Sequence, residues 1–196
     1  MNQPGRKFYH LAGGLGLLSF YYLLGRDRAL LFYAVLFVAV LTLDLVRLKM
    51  PGVNSFIFTN FRGFIRTNEE HKLTGTAPYV LGVGATLYLY RTDLATLAIC
   101  FLVFGDVAAT AIGERYGKTK IGNKSLEGSI AFVVAAVSAG VLFSLAGLPI
   151  MYGLMLAGAF IAAGVELLPL PVNDNLLIPV VSGGAMSLIV RMTGGA

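Results

Sequence analysis

Asp106 stands about two turns inside an otherwise apolar run. It belongs to the segment "GDVAATAIGERYGKTKIGNKSLEG", from Gly105 to Gly128. An ionised carboxylate in hydrocarbon is costly and normally faces a bundle interior, where it meets a cation or a metal. On a helix Asp106, Thr110 and Gly113 fall at i, i+4 and i+7, along one face. A buried ion pair with Arg or Lys is the structural alternative. Lys118, Lys120 and Lys124 follow in a glycine-punctuated loop. Lysines supply point charges for phosphate oxygens. Ser125 is placed to cap the next helix, whose free N–H groups at Ser125 to Gly128 attract anions. The loop has no Walker A pattern, so it is not a P-loop. An anchor against anionic lipid explains the same lysines.

Other polar residues share this pattern. Glu127 opens the next apolar run, either as a metal ligand or as a favourable first-turn acid. Glu166 precedes "LLPLPVNDNLLIP", a cation-free stretch holding Asn173, Asp174 and Asn175. Such oxygen-rich clusters suit a hard cation such as Mg2+, and a capped turn, with Asn175 as the cap, suits them equally. "RKFYHLAGG" brings Arg6, Lys7 and His10 to the start of the first run, and "TNEEHKLTGTAPY" brings Glu70 and Thr74 to the start of the third. His10 and His71 lack zinc-ligand spacing.

The elements that must hold these residues are membrane helices. The chain has 196 residues, 57% hydrophobic and 13% charged, against about 25% charged residues in ordinary globular chains. Its apolar runs fall near 8–25, 29–48, 74–90, 92–113, 127–147, 149–168 and 175–192, and a bilayer core takes about 20 apolar residues per helix. The expectation is an all-α, polytopic bundle of about seven transmembrane helices, forming one integral membrane domain over residues 1–196. The opening segment reads as retained, not as a signal peptide. Small residues such as those of "AGAFIAAG" let helices approach closely. Cys100, the sole cysteine, reads as a packing residue. The segment from Met50 to Phe64 is apolar yet interrupted, and fits a short interfacial helix.

With seven spans, eleven of the fifteen lysines and arginines, Arg62 and Arg66 among them, fall on the face that carries the N-terminus. The positive-inside rule places that face in the cytoplasm. Eight of the ten acids lie on the same side. Acids have no such topological preference, so a polar site is expected there, where metal-binding carboxylates, phosphate-binding lysines and apolar walls meet. That combination fits chemistry between a soluble phosphorylated donor and a membrane-embedded acceptor.

The segments "RKFYHLAGG", "EEHKLTGTAPYVLG", "GDVAATAIGERYGKTKIGNKSLEGS" and "VELLPLPVNDNLLIPVVSG" cover about a third of the chain. In these the chain resembles the CTP-dependent lipid-alcohol kinase family: dolichol kinase, phytol kinase and yeast-type CTP-dependent diacylglycerol kinase. The resemblance implies a polytopic enzyme that uses CTP and a divalent metal to phosphorylate a lipid hydroxyl. It implies that Asp106 and Asp174 coordinate Mg2+, with Glu127 in support, and that Lys120 and Lys124 hold the triphosphate. The third segment also resembles phosphatidate cytidylyltransferases, but their HGG-type ending is absent and "NDNLLIP" is similar to the kinases. Kinases of this family more often carry two successive acids before the Asn, where this chain has Asn173 first. A cytidylyltransferase is the first alternative and a small transporter the second. The resemblance implies CTP, a membrane lipid alcohol and the bilayer as partners, with no nucleic acid and with the active face cytoplasmic.

Overall fold

The computed structural model describes residues 4–61, 63, 65 and 69–194. Arg62, Phe64 and Arg66 lie outside the described residues. The chain divides into two compact units, Met1–Gly84 and Ala85–Ala196.

The first unit contains α1 (Pro4–Leu24), α2 (Arg26–Lys49), α3 (Pro51–Asn60) and the start of α4 (Thr76–Leu89). Pro51 starts α3, where its missing N–H costs nothing. The short helix expected between Met50 and Phe64 is therefore present as α3. The end of α2 carries a buried polar network. Arg47 is only 1% exposed. Its Nε donates to Asp44 Oδ1 at 2.7 Å and its Nη1 to Asn54 Oδ1 at 3.0 Å. The same guanidinium donates to the carbonyls of Glu69 and Lys72. The other Asp44 oxygen accepts from the backbone N–H and the hydroxyl of Thr74, both at 2.8 Å. One Arg–Asp pair thus holds the chain between α3 and α4 against α2. This pair makes burial of two charges tolerable, because each has its hydrogen-bonding capacity met.

The second unit holds the end of α4, then α5 (Thr92–Cys100), a π-helical segment (Phe101–Asp106) and α6 (Val107–Tyr116), which run on as one helical stretch. The two-residue strands β1 (Lys120–Ile121) and β2 (Lys124–Ser125) follow, then α7 (Leu126–Leu145), α8 (Tyr152–Leu167) and α9 (Asp174–Met192). Buried Leu97, Phe101, Phe132, Met155, Ile178 and Met186 form the core among α5, the π segment, α7, α8 and α9. Outward-facing Val134, Leu142 and Phe160 are each more than half exposed. Such faces need lipid as their solvent.

Each of the seven apolar runs coincides with helix. Four stretches are long and apolar enough to cross a membrane: Arg26–Lys49, Thr92–Tyr116, Leu126–Leu145 and Asp174–Met192. Thr76–Leu89 and Tyr152–Leu167 are apolar but shorter.

Candidate phosphate and metal site

The site is built in the second unit around the turn between α6 and α7. This stretch, expected to be a loop, is a β-hairpin. Lys120 pairs with Ser125 and Ile121 with Lys124, leaving Gly122 and Asn123 as the turn. Gly122 has φ of +59° and Asn123 does not enter positive φ. A glycine at the first central position is the mark of a type II′ turn. The hairpin ends in the N-cap of α7, as the sequence suggests: Ser125 Oγ accepts from the Gly128 N–H at 3.1 Å. Close packing requires glycine here. A Cβ on Gly117 would fall 2.6 Å from Ser125 Oγ, and one on Gly128 would fall 2.9 Å from the Ala109 carbonyl.

The hairpin presents Lys124 to the ends of two other helices. Lys124 Nζ lies 2.7 Å from Glu166 Oε1, at the end of α8, and 3.1 Å from Asp174 Oδ2, in the first turn of α9. Burial opposes the Lys124 charge, but Asp174, Asp106 and Glu166 outweigh it and hold the ammonium above its ordinary pKa. Asp106 is buried, and it is the last residue of the π-helical segment. A single π turn inside an α-helix often marks a functional position. The tight seam next to it is set by Gly105, where a Cβ would fall 2.6 Å from the Phe132 ring. Ser129, one turn beyond Ser125, donates to the Ser125 carbonyl at 3.3 Å and reaches Glu166 Oε2 at 3.5 Å.

Of the residues singled out in the sequence, Asp106, Lys124, Ser125, Glu166 and Asp174 belong to this cluster. Glu127 turns to the hairpin instead, where its carboxylate accepts from the Thr119 N–H at 3.0 and 3.2 Å. Lys118 and Lys120 are exposed, and Lys120 Nζ lies 3.4 Å from the Gly113 carbonyl. Thr110 is half-buried on α6. The α9 cap is a correction. Asn173, not Asn175, closes the helix, its Oδ1 accepting from the Asn175 N–H at 3.0 Å. The helix begins two residues earlier than the Asn175 cap requires, so Asn173 is the residue with a non-helical backbone and Asn175 is buried inside the first turn.

The remaining candidates belong to the first unit. His10 is buried, its ring 4.4 Å from that of Tyr79, whose hydroxyl donates to the His10 carbonyl. Thr74 binds Asp44, and the Glu70 carbonyl accepts from Asn54 Nδ2. Arg6 and Lys7 are half-buried in the first turn of α1. Sequence reasoning missed Ser129 beside the cluster and, in the first unit, the Asp44–Arg47 pair as an anchor of the chain before α4. The signal for the second was present: acid and base at i, i+3 near the end of a helix whose middle is apolar.

Two features of the second-unit cluster bear on ligands. The N-termini of α7 and α9 both start beside Lys124, and helix N-termini favour phosphate. The carboxylates are hard oxygen donors already gathered about a cation. Among the described residues no three His, Cys, Asp or Glu side chains form a metal cage by themselves. Mg2+ does not need one, since it usually keeps water and takes one or two carboxylates plus substrate phosphates.

Curated proteins supply the comparison. The chain is 32% identical to a CTP-dependent diacylglycerol kinase 1 of Eremothecium gossypii, over 96% of this chain and 67% of that protein. It is 30% identical to the Saccharomyces cerevisiae protein of the same name, over 70% of this chain and 49% of that one. The chain belongs to the CTP-dependent lipid kinase family. A plant member, the chloroplastic farnesol kinase of Arabidopsis thaliana, is 30% identical over 75% of this chain and 53% of its own length. No family model and no solved structure matches the chain.

Proposed function

We propose that the protein transfers the γ-phosphoryl group of CTP to the hydroxyl of a membrane lipid alcohol. Relatives named for diacylglycerol and for farnesol define the acceptor class, an apolar tail bearing a hydroxyl. Diacylglycerol is the first candidate, because two of the relatives named for it match a larger share of the chain than the farnesol kinase does. The observation that carries the reading is the meeting of Lys124 with Glu166 and Asp174 at the N-termini of α7 and α9.

In this reading Lys124 and the two helix N-termini take the nucleotide phosphates. Asp106 and Asp174 are the carboxylates that would hold Mg2+, with Glu166 beside them, and the bound ion would offset charge on the β- and γ-phosphates. Glu127 acts at a distance, by fixing the hairpin through Thr119. The lipid oxygen attacks the γ-phosphorus, the bond to the β–γ bridging oxygen breaks, and CDP leaves. The hydroxyl proton passes to the carboxylate cluster. Phosphoryl transfer depends mainly on positioning and electrostatic stabilisation, which charged groups on several rigid helices can provide.

The proposal extends to topology. Seven helical stretches cross the bilayer, α4 and α8 as short spans, with the N-terminus and the Lys124 cluster on the cytoplasmic side, where CTP is available. The distribution of lysine and arginine supports this orientation.

The deciding experiment uses purified protein in nanodiscs with diacylglycerol or farnesol and CTP labelled at either the α- or γ-phosphorus. Label from the γ position is expected in the lipid. Transfer of α-label would replace this reading with cytidylyl transfer, and no transfer to any lipid alcohol would end it.

A further inference from the structure

A second polar recess lies in the same unit, at the other end of α9. From Asp174 to Arg191 the helix rises roughly 25 Å at 1.5 Å per residue, enough to place the two ends at opposite faces of a bilayer core. A cavity of about 550 Å³ opens there, lined by Leu89, Tyr90, Arg91, Leu94, Ser187 and Arg191 with their neighbours. Its size is in the range of small-molecule sites, about 300–1,000 Å³.

The cavity has a built wall. Tyr90 lies against α9 where Gly183 and Gly184 leave room for it: a Cβ on Gly183 would fall 2.6 Å from the tyrosine ring. The Tyr90 hydroxyl donates to the Val180 carbonyl at 2.9 Å, which fixes the ring. Asp93 orients the neighbouring Arg91 guanidinium, accepting from Nε at 3.2 Å and Nη2 at 3.0 Å. The charged residues of the lining are both arginines, contributed by the α4–α5 turn and by the last turn of α9. The Ser187 hydroxyl adds a donor. Beside them Leu89 and Leu188 are each more than half exposed on the lipid-facing side.

We propose that this cavity binds the headgroup of an anionic phospholipid from the leaflet opposite the Lys124 cluster. Guanidinium groups pair with phosphate through two parallel N–H bonds. The leucines would continue the site along an acyl chain, which a soluble anion would not use. The site is separate from the phosphoryl-transfer cluster, so it stands whether or not that assignment is right.

The test is lipid retention by the full chain, purified in detergent and measured by native mass spectrometry. The probes are phosphatidylglycerol, phosphatidylcholine and inorganic phosphate. The wild type should retain phosphatidylglycerol about tenfold over phosphatidylcholine, because both carry the phosphate but the choline cation of the second is repelled by the arginines. R91Q/R191Q should lose that preference while keeping its CTP-dependent activity. If the double variant does not fold, R191Q alone, at an exposed position, should still lose several-fold of the preference. Unchanged preference in the folded variants overturns the proposal. Displacement of the lipid by equimolar inorganic phosphate also overturns it, because the acyl-chain contact would then contribute nothing.

Discussion

Lys124 and Glu166 are 42 residues apart in sequence and 2.7 Å apart in space. Glu166 is only 3% exposed, whereas Lys124 retains a third of its side-chain surface. The buried partner depends on the accessible one. In the proposed reaction Lys124 would turn towards an arriving phosphate, and the carboxylates it leaves would be open to a metal ion that comes with the nucleotide.

Substituting Lys124→Ala should therefore affect two properties. The CTP concentration needed for half-maximal rate should rise about tenfold or more, the scale for loss of a charge-assisted phosphate contact. Thermal stability should also fall, because an uncompensated carboxylate remains buried. Adding Glu166→Gln should recover much of the stability and none of the CTP affinity. Recovery of both, measured by steady-state kinetics and thermal unfolding, would make the pair purely structural.

Asp106→Asn keeps the shape of the side chain and removes its charge. Turnover should fall about 10²-fold or more, as when a preorganised electrostatic group is removed from an active site. Folded yield and the unfolding midpoint should stay close to wild type. Near-normal γ-phosphoryl transfer would take Asp106 out of the mechanism.

The helices were legible in the sequence because each long apolar run is bounded by polar or turn-forming residues, and each expected run coincides with a helical stretch. Asp106 stood out for a related reason, since charge in hydrocarbon is costly and needs a partner, whereas Asp174 stood out as an acid in an oxygen-rich stretch without cations. What escaped was local backbone geometry. The π turn ending at Asp106 leaves no mark in hydrophobic periodicity. The hairpin at residues 120–125 has strands of two residues, too short for alternation to register, and only Gly122 hints at its turn. Glu127 read as either a metal ligand or a first-turn acid, and its contact with the Thr119 N–H across the hairpin carried no signal in the sequence. The α9 cap lies two residues before the expected Asn175, within the ordinary uncertainty of helix ends.

The π-helical seam gives a stability test. At Gly105 a Cβ would meet the fully buried Phe132 ring at 2.6 Å. Gly105→Ala should lower stability by about 1–3 kcal/mol, the usual cost of overpacking. Phe132→Leu in the same chain should return part of it, by making room. A single variant as stable as wild type in denaturant or thermal unfolding would mean that α7 can move away from the π segment at little cost.

Lys124 also sets an expectation for pH. Its folded-state pKa lies above the ordinary lysine value of 10.5. A raised value means that the protonated form is favoured by folding. The contribution is therefore complete below the ordinary value and is lost only as pH rises through the higher folded value. CTP affinity should show no titration assignable to Lys124 between about pH 6 and 9, a window well below a lysine pKa. Lys124→Arg offers the control, because it keeps the charge and changes the geometry, and its profile should be equally flat. A wild-type loss of CTP affinity centred near pH 8, absent from the arginine variant, would show that burial outweighs the three carboxylates and that Lys124 is not held as a permanent cation.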